Sequence, residues 1–392
     1  MLANRNQAQR WSFPTWDELA ESCGAIEGLS REQRQAASMA FVTLGRHLGR
    51  DLLSGDGAPA HPLCMPLLNS APWSRLWTTW FAAALEQASE SKGFESLLAR
   101  LRDPKRYVEA ASVLEVGARL LRVGFRIQYD VEISVGARRK VPDLHATDLS
   151  GGPSFFVEVT RLNESNSARK ASRTTMAVHN ELMMAHPFAP FAGRIYRALS
   201  PAHLADVVQE IRESVRRAND GGGLQIVNRA GVILLGLAAD KEEGVVDAWA
   251  KQHELSVGTL DGPYFDSDQV HRTRQAIGSK QDQLPRDGFG IVVVDNAPNY
   301  PWIRDPAEAM SLIEEEVFEH PHLSAAVITG SNLGVRQPQP VVRGVNEYVR
   351  ICSFGALIEH AMLIPNRFTP KPLPAETIGC IATAFEQPLD RY

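Results

Sequence analysis

Two acidic residues lie on neighbouring strand-like runs of the sequence. Asp143 follows Pro142 in the run KVPDLHAT, and Glu158 lies fifteen residues later in SFFVEVTRL. Side chains alternate along a strand, so both carboxylates can lie on one side of a sheet if the runs pair as a hairpin through DLSGGPS. Mg²⁺ binds one or two protein carboxylates and keeps positions for phosphate oxygens. The pair therefore predicts a Mg²⁺ or Mn²⁺ site suited to phosphodiester hydrolysis.

The helix that precedes these runs offers a third carboxylate, and helical phase helps to choose it. Glu115 lies on a polar stripe, where it is explained as a surface partner of Arg119 at i+4. Glu109 instead shares a stripe with Val113 and Val116, which should face the sheet. An acid on a buried face needs a compensating partner. Glu109 is thus the preferred third ligand, with Glu115 in reserve.

The order of these features resembles the PD-(D/E)XK nuclease superfamily. A helix bearing an acid ends at Gly124-Phe125 and is followed by a strand, the dipeptide PD and an apolar strand that carries VEV. The likeness spans residues 105 to 185 and implies a restriction-endonuclease-like fold. It also implies that Asp143 and Glu158 bind Mg²⁺, that Glu109 assists, and that the protein is a metal-dependent nucleic-acid hydrolase, namely a DNA endonuclease.

The sequence departs from this family at Thr160, where the family carries a lysine that orients the attacking water and stabilises phosphate charge. Lys170, in the next helix, and Lys140, before the PD strand, are candidates to supply that charge. Lys280 would need a tertiary contact, and Arg161 should point to the opposite face of its strand. Two alternatives stay open. The metal alone can suffice, or the domain is catalytically inactive and acts as a nucleic-acid-binding or scaffold protein.

The rest of the chain divides into three segments that differ in sequence pattern. Residues 1–103 are helical in pattern, with Ser30 and Gln33 in a capping-box arrangement. Residues 104–366 alternate short apolar runs with helical segments, which predicts an α/β domain with a mixed sheet flanked by helices. Residues 367–392 begin with the Pro-rich RFTPKPLPAE and are predicted to form a C-terminal tail.

Composition limits the partners. The net charge of −5 lacks the global basic signature of many nucleic-acid-binding domains, although a local basic strip is compatible with it. Such runs flank the acidic pair as RRK at 138–140 and ARKASR at 168–173. They either contact a phosphate backbone or form solvated faces. The expected partner is nucleic acid, specifically DNA, and the N-terminal helical region is available for homo-oligomers or a protein partner.

Targeting and redox signals point to one compartment. The four cysteines are far apart and lack zinc-site spacing, so they are read as free thiols of a reducing compartment. The N-terminus has no signal-peptide core, and no apolar run approaches the ~20 residues of a membrane span. A cytoplasmic protein with no membrane partner is therefore expected.

Overall fold

A computed structural model describes most of the chain. The described residues are 13–53, 61–135, 138–163, 165–185, 189–263, 268–296, 306–334, 345–352 and 355–386. They form a mixed α/β structure with two compact units. The described residues of Met1–Asn163 and Val270–Tyr392 make up the first unit, and those of Glu164–Gln269 make up the second.

The helices are named in chain order. They are α1 (Trp16–Ser22), α2 (Arg31–Leu48), α3 (Cys64–Leu68), α4 (Pro72–Ala88), α5 (Phe94–Arg102), α6 (Tyr107–Arg122), α7 (Asn166–Met183), α8 (Pro201–Arg217), α9 (Glu243–Gln252), α10 (Gln269–Gln281), α11 (Pro306–Glu319) and α12 (Ala375–Glu386). The predicted capping box at the start of α2 is present: Ser30 Oγ accepts from Gln33 N, and Gln33 Oε1 accepts from Ser30 N.

The strands follow the same convention. They are β1 (Phe125–Tyr129), β2 (Ile133–Val135), β3 (Arg138–Lys140), β4 (Leu144–Asp148), β5 (Phe155–Arg161), β6 (Phe191–Ile195), β7 (Gln225–Arg229), β8 (Ile233–Leu237), β9 (Leu260–Asp261), β10 (Phe289–Asp295), β11 (Ala325–Gly334), β12 (Val345–Cys352) and β13 (Gly355–Pro365).

A mixed seven-stranded sheet forms the centre of the first unit, in the order β1-β4-β5-β10-β11-β13-β12. β1, β4 and β5 are successive antiparallel neighbours, whereas β5, β10 and β11 run parallel. β10 is a nearly continuous run of buried apolar residues, as expected for a strand covered on both faces.

Separate apolar clusters cover the two faces of this sheet. On one face, Val157 of β5 and Val293 of β10 pack in a cluster with Val116 of α6. On the other face, residues from α10, α11 and the sheet form a second cluster, which includes Ile277 and Val292. α6 and α10 therefore lie on opposite sides of the sheet.

The predicted boundaries at 103 and 367 need correction. Helices α1 to α6 and the central sheet contribute to one continuous apolar cluster, so residues 1–103 do not form a separate unit. The predicted tail contains α12, whose Ile381 and Phe385 are buried in that cluster. Its apolar positions recur at helical spacing, and the preceding prolines end before Ala375.

The second unit interrupts the chain between β5 and β10. Its four-stranded sheet has the order β7-β8-β6-β9 and shares a core with α7 and α8, which bury Val178 and Ile211. The sequence prediction placed these residues inside one α/β domain from 104 to 366, so this subdivision is an addition from the structure.

Among the residues that the structure describes, none of the helices combines the length and the apolar character that a membrane crossing requires.

Candidate functional site

Asp143 and Glu158 lie opposite each other on adjacent strands. Leu144 pairs with Val157 and His145 with Phe156, so the same antiparallel register, continued by one residue, places Asp143 across from Glu158. Directly opposed residues of an antiparallel pair project from the same face of the sheet. Asp143 Oδ2 also accepts a hydrogen bond from Val159 N at 3.0 Å, which holds the aspartate against β5. The two carboxylates thus share one face, as the alternation of the two runs predicts.

Glu158 is a buried acid with one satisfied oxygen. Its side chain is 1% exposed, and its Oε2 lies 3.1 Å from Lys280 Nζ. Its Oε1 is buried without a hydrogen-bond partner among the described residues. Burial raises the pKa of Glu158 from 4.5 to about 7, the negative charge of Asp143 adds to this rise, and Lys280 opposes it. Burial and the neighbouring carboxylate together outweigh the stabilising contact with Lys280.

Lys280 contacts Glu158 although the second unit lies between the two residues in the sequence. It lies in the last turn of α10, and Ile277, one turn earlier, anchors that helix in the apolar cluster on the Glu158 face. Lys280 and Glu158 are 122 residues apart in sequence. From sequence, Lys280 was only a residue that would need a tertiary contact, and no local pattern reveals that contact.

Arg100 of α5 is a second cation at the site and was missed from sequence. Its Nη1 lies 3.1 Å from Asp143 Oδ1, and its Nη2 lies 2.8 Å from Asp130 Oδ1. Asp130 N donates to Asp143 O, and Ser96 Oγ donates to the Asp130 carboxylate. Asp130 has a φ of 50°, a left-handed conformation that a short polar residue tolerates better than a bulky one. Arg100 therefore fixes the orientation of Asp143 from the side opposite Glu158.

The prediction that Glu109 lies on the sheet-facing stripe is wrong. Glu109 is exposed in the first turn of α6, where Tyr107 and Ala110 are the buried residues. An acid in that turn interacts favourably with the helix dipole and needs no metal. α6 also packs against the face of the sheet opposite to Glu158. Helical phase correctly predicted that Val113 and Val116 are buried, but the stripe does not extend to Glu109, and phase does not tell which side of the sheet the helix covers.

The two lysines predicted to replace the family lysine do not take the place that Lys280 holds. Lys140 pairs with Ile133 at the end of β3, in a two-stranded sheet outside the central sheet. Lys170 is exposed on α7 in the second unit. Thr160 is half-buried on the Glu158 face of β5. Arg161 points to the other face, as expected, with its Nη1 3.8 Å from Asp295 Oδ2.

Glu115 has the ion-pair partner that the sequence predicts, but the pair is not at the surface, because Arg119 is buried. It forms an i,i+4 ion pair with Arg119, with Arg119 Nη2 3.0 Å from Glu115 Oε1. His145 stacks on Phe156 with 4.5 Å between ring centroids, and burial lowers the pKa of its imidazole. A neutral, stacked imidazole fits a structural role beside the acidic pair.

The donor set fits one hard divalent cation better than a larger cluster. Within the described ranges no group of three or more His, Cys, Asp or Glu residues is arranged to hold a metal ion. Two carboxylates suffice for Mg²⁺, which keeps several waters and binds substrate phosphates. The free Glu158 Oε1 is an acceptor suited to such an ion. Asp143 and Glu158 would be its protein ligands.

The chain was compared with protein-family models, with curated proteins and with solved structures, and no match was found in any of the three.

Proposed function

We propose that the protein is a metal-dependent hydrolase of nucleic-acid phosphodiester bonds that acts on DNA as an endonuclease. One observation carries the proposal. Glu158 is buried opposite Asp143, with one carboxylate oxygen on Lys280 and the other without a hydrogen-bond partner among the described residues. A buried acid with a raised pKa and a specific charge partner is characteristic of functional sites.

Four residues of the site would have separate roles in this reaction. Asp143 and Glu158 would hold Mg²⁺ or Mn²⁺, which supplies an activated water and stabilisation of phosphate charge when bound. Arg100 holds Asp143 in its orientation through the 3.1 Å contact. Lys280 keeps Glu158 in place and adds a positive charge beside the ligands. This charge stands in for the one that Thr160 does not supply.

The fold supports the same proposal at a coarser level. In the central sheet, β1, β4 and β5 are antiparallel neighbours and β10 runs parallel to β5, with helices on both faces of the sheet. Glu158 lies at the middle of β5, the first of the three parallel strands, and Asp143 directly precedes the antiparallel neighbour β4. This arrangement agrees with the proposed PD-(D/E)XK relationship.

Cleavage of supercoiled plasmid and of single-stranded DNA with Mg²⁺ or Mn²⁺ tests the proposal. We expect cutting by the wild type, and loss of about 10³-fold in rate for Asp143→Asn and Glu158→Gln, because several kcal/mol of metal stabilisation is removed. Lys280→Gln should lose about 10-fold to 100-fold. Lys170→Gln is the matched control and should cut like the wild type. Cutting that survives Asp143→Asn would refute the proposal.

A second candidate function is a catalytically inactive nuclease-like domain that binds nucleic acid or serves as a scaffold. It is favoured by the ion pairs of Asp143 with Arg100 and of Glu158 with Lys280, because they balance charge without a metal. DNA binding that persists in Asp143→Asn and Glu158→Gln, with no cutting by any form, would establish this alternative.

A further inference from the structure

The strands that carry the Asp130 and Asp143 pair continue beyond the central sheet as one ribbon. Phe125 pairs with Asp148 in β1 and β4, and Ile133 pairs with Lys140 in β2 and β3. Each step forward on one strand is matched by one step back on the other in both segments, so the two segments share one pairing register. Backbone hydrogen bonds from Asp130 N to Asp143 O and from Val131 N to Pro142 O connect the segments. Residues 125–135 and 138–148 are thus one antiparallel ribbon.

Only the first half of this ribbon belongs to the central sheet. β4 pairs with β5 through Leu144, His145 and Ala146, whereas β2 and β3 form a two-stranded sheet of their own. Five residue pairs, from 131 with 142 to 135 with 138, extend past Asp143. Five residues on each strand at ~3.3 Å per residue give this extension a length of about 17 Å. We call residues 131–135 and 138–142 the arm.

The arm is basic although the whole chain is acidic. Arg138, Arg139 and Lys140 are consecutive, and Glu132 is the acid among residues 131–142. The Arg139 side chain is 82% exposed and its Nη1 lies 3.6 Å from Glu132 Oε2. An exposed pair at this distance contributes little, so Arg139 is available to another anion. Arg139 precedes Asp143 by four residues, so their backbones lie at most ~14 Å apart.

We propose that the arm binds double-stranded DNA beside the acidic pair, with Arg139 and Lys140 on its phosphates. The inference rests on the proposed function and deepens it by naming duplex DNA as the substrate. A two-stranded ribbon fits the ~12 Å major groove of B-form DNA, whereas the deep, narrow major groove of an RNA duplex excludes it. The arm's basic residues complement the phosphate charge of either groove wall.

Fluorescence anisotropy with a labelled DNA duplex in EDTA tests the arm without cleavage. The variant is Arg139→Gln with Lys140→Gln. We expect duplex binding about 10-fold to 100-fold weaker at low salt, and a slope of log K against log salt reduced by about 2, because two phosphate contacts are lost. The thermal midpoint should equal that of the wild type, because the changed side chains lie on the projecting arm.

The matched control is Arg46→Gln with Lys105→Gln, which removes the same charge from the same unit. Arg46 is exposed and pairs with Glu86, as Arg139 pairs with Glu132, and Lys105 is exposed. This control should bind duplex DNA like the wild type. The inference is overturned if the arm variant binds as the wild type does, if the control weakens equally, if duplex RNA binds more tightly than duplex DNA, or if the wild type binds no duplex.

Plasmid cleavage by the same proteins separates this inference from the proposed function. Normal cutting with unchanged binding by the arm variant would refute the arm and leave the hydrolase intact. Arm-dependent binding with no cutting by the wild type would support the arm and refute the hydrolase.

Discussion

Strand β5 presents an apolar face to α6 and a face that carries a buried carboxylate to α10. On the first face, Phe155 and Val157 are almost completely buried among apolar side chains. On the second, Glu158 is equally buried, with Lys280 as its cationic partner. The two faces share one backbone, and Glu158 is as deeply buried as Val157 although its neighbours Phe156 and Thr160 are half-buried. The comparison therefore shows what a buried carboxylate costs where an apolar side chain would stabilise the fold.

Burial of the apolar face stabilises the folded protein, whereas burial of the Glu158 carboxyl group on the other face destabilises it. Burial of Glu158 raises its pKa to about 7 despite the contact with Lys280, so the ion pair does not compensate fully for the lost hydration. A neutral residue of the same shape would be more stable there. A destabilising acid opposite Asp143 is what the proposed cation site would require.

Truncation on the apolar face should have the largest effect on stability. Phe155→Ala removes a fully buried ring that packs edge-on against Phe125 at 5.1 Å between centroids, so we expect the free energy of unfolding to fall by about 3–5 kcal/mol. Urea denaturation measures this change. Phe156→Ala, half-buried on the other face, is the comparison and should cost roughly half as much. Equal costs would show that the two faces do not differ as described.

On the acidic face, substitution should stabilise the protein in a pH-dependent manner. The pKa of Glu158 is raised from 4.5 to about 7 in the folded state, so the folded protein holds more protons than the unfolded one between those values. The free energy of unfolding therefore falls as pH rises through this window, by on the order of 3 kcal/mol. Glu158→Gln should remove that fall and be the more stable form above pH 7. Parallel pH profiles for both proteins would contradict the assignment.

A smaller effect is expected from the arginine that holds Asp143. Arg100→Ala leaves Asp130 and Asp143 without their shared partner, so we expect a loss of about 2 kcal/mol in the free energy of unfolding. Added Mg²⁺ should recover part of this loss. Arg46→Ala, which removes an exposed partner of Glu86, should cost at most about 0.5 kcal/mol. An Arg100 variant as stable as the Arg46 variant would show that Arg100 does not position the site.

The sequence predicted the parts of the site that depend on local geometry. Alternation along two short runs, joined by a short turn, was enough to bring Asp143 and Glu158 to one face. The helical N-terminal region and the mixed sheet were also foreseen from periodicity. These features depend on residues near one another in the chain.

What the sequence could not provide depends on tertiary contacts. Glu109 was misplaced because helical phase does not say which face of a sheet a helix covers. Lys280 is separated from Glu158 by the whole second unit, so no spacing rule connects the two residues. Arg100 was missed for the same reason, since it lies on α5, 43 residues before Asp143 in the chain.

Manganese binding followed by electron paramagnetic resonance tests the central claim most directly, because it reports on the site whether or not a substrate is known. We predict one Mn²⁺ ion bound at this site at pH 8, with affinity reduced at least about tenfold in Glu158→Gln. Glu109→Gln is the matched control and should bind like the wild type, since Glu109 is exposed on α6 away from the pair. No bound Mn²⁺, or binding that Glu158→Gln leaves unchanged, would contradict the proposed metal site.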